Sequence, residues 1–234
     1  MTTFINNGIS TLTQRVNLEK SREGFTVKVY LHLLLAVLML VALEVYLFKS
    51  GIAESVANWM FKIPWVAILA AFMLVAWLAR NIAYKAESLS LQYIALFGYV
   101  LAETFILIPL LYQTERIAPG AIANAAQFTV FGFLGLTAIV VITKKDFSFL
   151  RAILMWGGFI ALGLILFAII FKFSLGIWFD VAMITLAGGS ILYDTSNILR
   201  RYNKHKYVSA ALSLFASVAM MFWYALRMFR RISR

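Results

Sequence analysis

Four carboxylates stand inside long apolar runs of this 234-residue chain: Glu44, Glu103, Asp180 and Asp194. An ionisable group at mid-bilayer costs ~3 kcal/mol or more, so each is by position a candidate for proton or ion chemistry. Asp194 is the most pointed of them, because it sits in Ser190-Ile191-Leu192-Tyr193-Asp194-Thr195, just before the basic pair Arg200-Arg201. Asp180 lies on the same run, and helical rise puts ~21 Å between the two, too far to share a proton. Glu103 has two readings: a polar step on an ion path, or an acid that hydrogen-bonds neighbouring helices. Glu44 and Asp180 lie toward the ends of their runs and read as interfacial acids, with ion handling as the competing role. Arg80 either extends to the headgroups or serves as counter-ion to a buried acid. His32 reads as a hydrogen-bonded helix contact.

Other chemistries are excluded by what is missing from the chain. It has no cysteine, which removes disulfides, thiolate zinc sites, iron–sulfur clusters and cysteine nucleophiles. Two histidines make a histidine-rich metal or haem site untenable. There is no His-Glu-x-x-His and no Gly-Lys-Ser or Gly-Lys-Thr loop, so neither an enzyme nor a cofactor is implied. An acidic cluster able to supply six to eight oxygens is also missing, so any calcium binding is expected to be weak.

The elements that must position these groups follow from composition. The chain is 63% hydrophobic with a mean hydropathy of +0.88 and only 13% charged residues, which a water-exposed domain cannot carry. A membrane helix needs ~20 apolar residues. Seven runs qualify, at 27–48, 64–84, 89–112, 121–143, 149–173, 177–199 and 207–229, predicting an all-α polytopic bundle flanked by an amino-terminal tail, 1–26, and a basic tail, 230–234. Pro109 falls inside the third span and should kink it. Glycines such as Gly132, Gly135, Gly157, Gly158 and Gly163 suit close helix approach.

The net charge of +11 reads as a topology signal, not a nucleic-acid surface. With the amino terminus inside, cytoplasmic segments hold thirteen Lys and Arg, among them Arg15, Lys20, Lys144 and Arg200, against four in the outer loops: Lys49, Lys62, Arg116 and Lys172. The amino terminus is therefore expected in the cytoplasm. Arg227, Arg230, Arg231 and Arg234 break the rule, since seven crossings place them outside. Either the seventh span crosses in spite of them, the reading preferred here, or it re-enters.

Two segments carry a resemblance. Thr143-Lys144-Lys145-Asp146-Phe147-Ser148-Phe149-Leu150 and Ile191-Leu192-Tyr193-Asp194-Thr195, with Leu212-Ser213-Leu214-Phe215 and Ile108-Pro109-Leu110 as weaker pieces, resemble the transmembrane Bax-inhibitor-motif family, in particular its bacterial members. The resemblance implies seven helices with the last one central, in the bacterial inner membrane. Some members are pH-sensitive calcium leak channels in which two aspartates on the sixth and seventh helices share a hydrogen bond and an arginine of the second helix latches the pore. Asp194 falls on the first acid. Ser217 stands at the second, so the coupled titration of two acids is lost. Arg80 falls at the arginine, or Ala79 does if the register shifts by one.

A bacterial subset that also lacks the second acid includes a modulator of a membrane-anchored AAA+ protease. This chain looks closer to that subset, whose mode of action would use a cytoplasmic amino-terminal segment here reaching from Met1 to about Glu23. Two functions are thus expected from the sequence. The first is a pH-influenced cation leak, with Asp194 at the gate, Ser217 its partner, Glu103 deeper and Arg80 as counter-ion. The alternative is a non-conducting stress regulator that binds the protease.

Overall fold

The computed structural model describes the backbone of residues 2–233 and the side chains of residues 22–233. Side chains 1–21 of the predicted amino-terminal tail, Arg15 and Lys20 included, lie outside the described residues, as does Arg234. The described chain is all-helical: α1 (Thr2–Lys49), α2 (Ile52–Met60), α3 (Trp65–Lys85), α4 (Leu89–Ile117), α5 (Ala121–Thr143), α6 (Leu150–Ile170), α7 (Ile177–Arg200) and α8 (Tyr207–Ile232). All except α2 contain a stretch long and apolar enough to cross a bilayer, that of α1 being Arg22–Lys49. These are the seven expected spans, with α4 running five residues further, to Ile117, through a polar turn containing Gln113, Glu115 and Arg116. Pro109 does not interrupt α4.

The addition is α2, a nine-residue helix between the first two spans, too short to show in the hydropathy pattern. It buries Ala53, Ala57 and Met60 and exposes Ile52 and Trp59, a two-faced pattern suited to the membrane surface. Its apolar side meets Ile108 of α4, and Glu54 accepts hydrogen bonds from Tyr112 Oη at 2.7 Å and Arg116 Nη2 at 3.2 Å.

The last helix is central. In its most apolar stretch α8 has 72% of residues buried against 11% for α6, and it packs against α1, α3, α4, α5 and α7. Its composition explains this: Ser209, Ala210, Ala211, Ala216, Ser217, Ala219 and Ala225 are small and buried, which lets neighbouring backbones come close where lipid removes the ordinary hydrophobic drive for association. The expectation of one central helix needs an extension, because α4 is 67% buried and forms a second inner helix beside α8. Phe215 of α8 meets Tyr99 of α4 edge-on, with ring centroids 5.9 Å apart. Outside this pair, Leu38, Trp77, Phe131, Phe159 and Trp178 turn apolar side chains outward.

Two of the noted glycines serve close approach. A Cβ at Gly157 would lie 2.6 Å from Leu186 Cδ1, and one at Gly132 would lie 3.3 Å from Met221 Sδ. Gly135, Gly158 and Gly163 have open space instead.

Candidate functional site

The two segments that carried the resemblance are bound to one another. After α5, Lys144 takes a left-handed conformation that turns the chain. Asp146 Oδ1 then accepts from the Ser148 backbone N–H at 2.9 Å, and Asp146 Oδ2 meets Arg201 Nη2 at 2.9 Å. The Ser148 N–H, joined by the Arg201 guanidinium, holds the Asp146 carboxyl below the usual carboxylate range. The Phe147 N–H donates to Ser196 Oγ at 3.1 Å, and Arg200 donates to the Lys144 carbonyl. The Lys144-to-Phe147 loop thereby anchors the end of α7, the segment on which Asp194 rides.

Asp194 is partly buried, and Ser217 Oγ of α8 donates to its Oδ2 at 2.6 Å. Ser217 also lies 3.3 Å from the Ser213 carbonyl, an ordinary within-helix contact. The expected cross-helix partnership of these residues is thus present as geometry: one acid and one hydroxyl. Next to it, Tyr202 Oη lies 3.2 Å from Ser213 Oγ. Burial, with the nearby Asp194 charge adding to it, pushes the Tyr202 phenol up to about 12. Tyr202 is held from α1, since Arg22 Nη1 donates to its carbonyl at 2.7 Å and Phe25 stacks on its ring at 6.5 Å.

Gln92 was not singled out from the sequence. Fully buried, it donates through Nε2 to the carbonyls of Ala86 and His205 at 3.3 and 3.4 Å and accepts from the Ser209 N–H at 3.3 Å, tying α4 to the start of α8. A buried glutamine at the first turn of an apolar span is the signal that could have found it.

Arg80 lies over the face of Tyr99 at 6.0 Å and is within electrostatic reach of both Glu103 and Asp194. Ala79, the alternative in the register, is buried in the core. Arg80, Tyr99, Glu103 and Ser217 line one end of a cleft of about 970 Å³ enclosed by α3, α4, α6, α7 and α8. The other end is lined by Arg227, Arg230 and Arg231. Glu44 is nine-tenths buried, faces Glu103 electrostatically, and has no hydrogen-bond partner on either oxygen.

Asp180 lies in the first turn of α7, near the end of its span, and is fully buried within the bundle. Two arginines of α8 clamp it: Arg227 Nε at 3.2 Å from Oδ1 and Arg231 Nε at 3.1 Å from Oδ2. The N–H directions miss hydrogen-bond geometry, so the clamp is an electrostatic contact. Arg230 donates to Gln113 Oε1 at 3.0 Å. These are the arginines that ran against the charge rule. A buried carboxylate and an amide of the bundle engage them, which gives the end of α8 a reason to sit where it does whatever the loop charges favour. His32 is, as expected, a helix contact, its ring nitrogens 2.8 Å from Tyr93 Oη and 2.7 Å from the Lys28 carbonyl.

Seven apolar spans, with a small-residue helix at their centre, define a polytopic integral membrane protein whose α7 acids are each met by side chains of that central helix. Residues 22–234 match the family model described as Inhibitor of apoptosis-promoting Bax1. The chain belongs to this Bax inhibitor-like family. Among its relatives, an uncharacterized protein of Pseudomonas aeruginosa is 33% identical over 109 residues, 46% of this chain and 49% of the relative. The Modulator of FtsH protease YccA of Escherichia coli is 29% identical over 143 residues, 60% of this chain and 65% of the relative. Protein lifeguard 4 of mouse is 31% identical over 115 residues, 48% of each chain. The matched segments span about half to two thirds of these relatives.

Proposed function

We propose that this chain is a non-conducting, non-enzymatic regulator of the bacterial inner membrane that modulates a membrane-anchored AAA+ protease of the FtsH kind, with its amino terminus in the cytoplasm. The observation that carries this reading is Ser217 in the place of a second acid: Asp194 has a hydroxyl partner, so no pair of carboxyls shares a proton there. The cleft that ends at Ser217 supports it, because its lining holds four arginines and one glutamate, a field that repels cations. Kinship with the modulator YccA supports the choice of partner. The segment before the first span would be the handle that the protease grips.

The test is co-purification of the protease with the full chain and with a chain lacking residues 1–17, alongside the half-life of a membrane substrate of the protease. The full chain should retain the protease and lengthen that half-life, and the shortened chain should do neither. Equal retention by both would remove the handle from the account.

A second reading is favoured by one observation. Arg80 lies within electrostatic reach of both Asp194 and Glu103, the arrangement expected of a pH-influenced cation leak gated at Asp194. Weak calcium binding would go with it.

A further inference from the structure

We propose that Tyr30 of α1, Thr137 of α5 and Thr195 of α7 form a binding site for one ordered water molecule, which ties these three helices together beside Asp194. The site is independent of whether the chain regulates a protease. The phenol of Tyr30 faces both threonine hydroxyls. All three oxygens are shut off from solvent, and none has a hydrogen-bond partner among the described residues. Inside an apolar bundle a hydroxyl in that position keeps the whole cost of its lost hydration, so three that converge call for a shared partner.

The other threonines set these two apart. Thr26, Thr104, Thr114, Thr129, Thr143 and Thr185 each donate to the carbonyl four residues before them, the usual resort of a threonine within a helix. Thr137 and Thr195 make no such bond, which leaves their hydroxyls for contacts between helices. Thr195 is fully buried, and Phe133 of α5 packs on the Tyr30 ring at 6.3 Å, which fixes where the phenol ends. Number and charge of the oxygens then select the occupant. A buried water makes about three hydrogen bonds, and three hydroxyls that can each donate or accept supply them. A metal cation asks for carboxylates or a larger set of oxygens, and the adjoining carboxylate, Asp194, is engaged by Ser217 at 2.6 Å. The water gives α1, which packs chiefly on α8, a polar tie to α5 and α7.

The experiment is hydroxyl-radical footprinting of the full chain in detergent, with radicals made from water by a pulsed X-ray beam and oxidised residues read by mass spectrometry. Radicals born at a trapped water oxidise the side chains beside it. Tyr30 should be oxidised although its hydroxyl is shut off, whereas Phe215, 1% exposed in the packed core, should not. After rapid mixing into heavy-oxygen water, the oxygen added to Tyr84, 67% exposed, should be the heavy isotope at once, and that added to Tyr30 only later, as the trapped water exchanges. Replacing Thr137 and Thr195 together by Val should bring Tyr30 oxidation down to the level of Phe215 and leave Tyr84 unchanged. Thr195→Ser, which keeps the hydroxyl, should retain it. Continued protection of Phe215 shows that a variant is folded, and the isotope delay is read on the wild type alone, so it decides the matter even for a double variant that does not fold. An unoxidised Tyr30, isotope uptake at Tyr30 as fast as at Tyr84, or unchanged Tyr30 oxidation in the folded double variant would each overturn the proposal.

Discussion

Replacing Asp180 by Ala should lower stability by about 3 kcal/mol, a fall in Tm of roughly 6–12 °C for a chain of this size, because the change leaves two arginines facing each other without their common anion. The carboxylate is fully buried, whereas Arg227 and Arg231 keep 20% and 31% of their side chains exposed. The arginines can therefore recover some hydration, which places the loss at the lower end of what breaking a buried pair costs. Thermal unfolding in detergent micelles measures it. Two comparisons identify the cause. Asp180→Asn keeps the shape and removes the charge, and should cost nearly as much. Replacing Asp180, Arg227 and Arg231 together by Leu, Met and Met should cost less than Asp180→Ala alone, since no charge is then stranded. A loss below about 1 kcal/mol for Asp180→Ala would mean that the clamp is no stronger than the exposed Glu54 to Arg116 pair at 3.2 Å.

Phe215→Ala should have the next largest effect, about 2–3 kcal/mol. The ring is 1% exposed at the contact between the two inner helices, edge-on to Tyr99. In a water-soluble core the same truncation costs ~3–5 kcal/mol. Here part of that is lost because a lipid tail solvates an apolar ring as well as the core does, while the forfeited packing and the cavity remain. Phe159, 63% exposed on α6, is the control: Phe159→Ala should shift unfolding by less than about 0.5 kcal/mol. Equal effects at the two positions would argue that α8 is no more central than α6.

Sequence periodicity revealed the spans well because ~20 consecutive apolar residues have few other uses. The nine residues of α2 are too short to register that way, and only their two-faced burial sets them apart. Asp194 and Ser217 could be paired only through the resemblance, since their 2.6 Å hydrogen bond joins two helices that hydropathy does not orient. The Asp180 clamp could not be read, since its arginines lie on another helix and their charges were already explained as a topology signal. Partner choice across helices depends on rotation about each helix axis, which a hydropathy pattern leaves open once a helix is apolar all round. Gln92 illustrates the same limit, because two of its three bonds reach residues more than a hundred positions away.

A single acid partnered by Ser217, beneath an arginine-lined cleft, should not conduct. The test is calcium uptake into liposomes containing the purified chain, assayed at pH 6 and pH 8 for wild type and Asp194→Asn. Uptake should equal that of empty liposomes for both proteins at both pH values. Uptake by the wild type that changes between pH 6 and pH 8 and is lost in Asp194→Asn would contradict it and establish the leak.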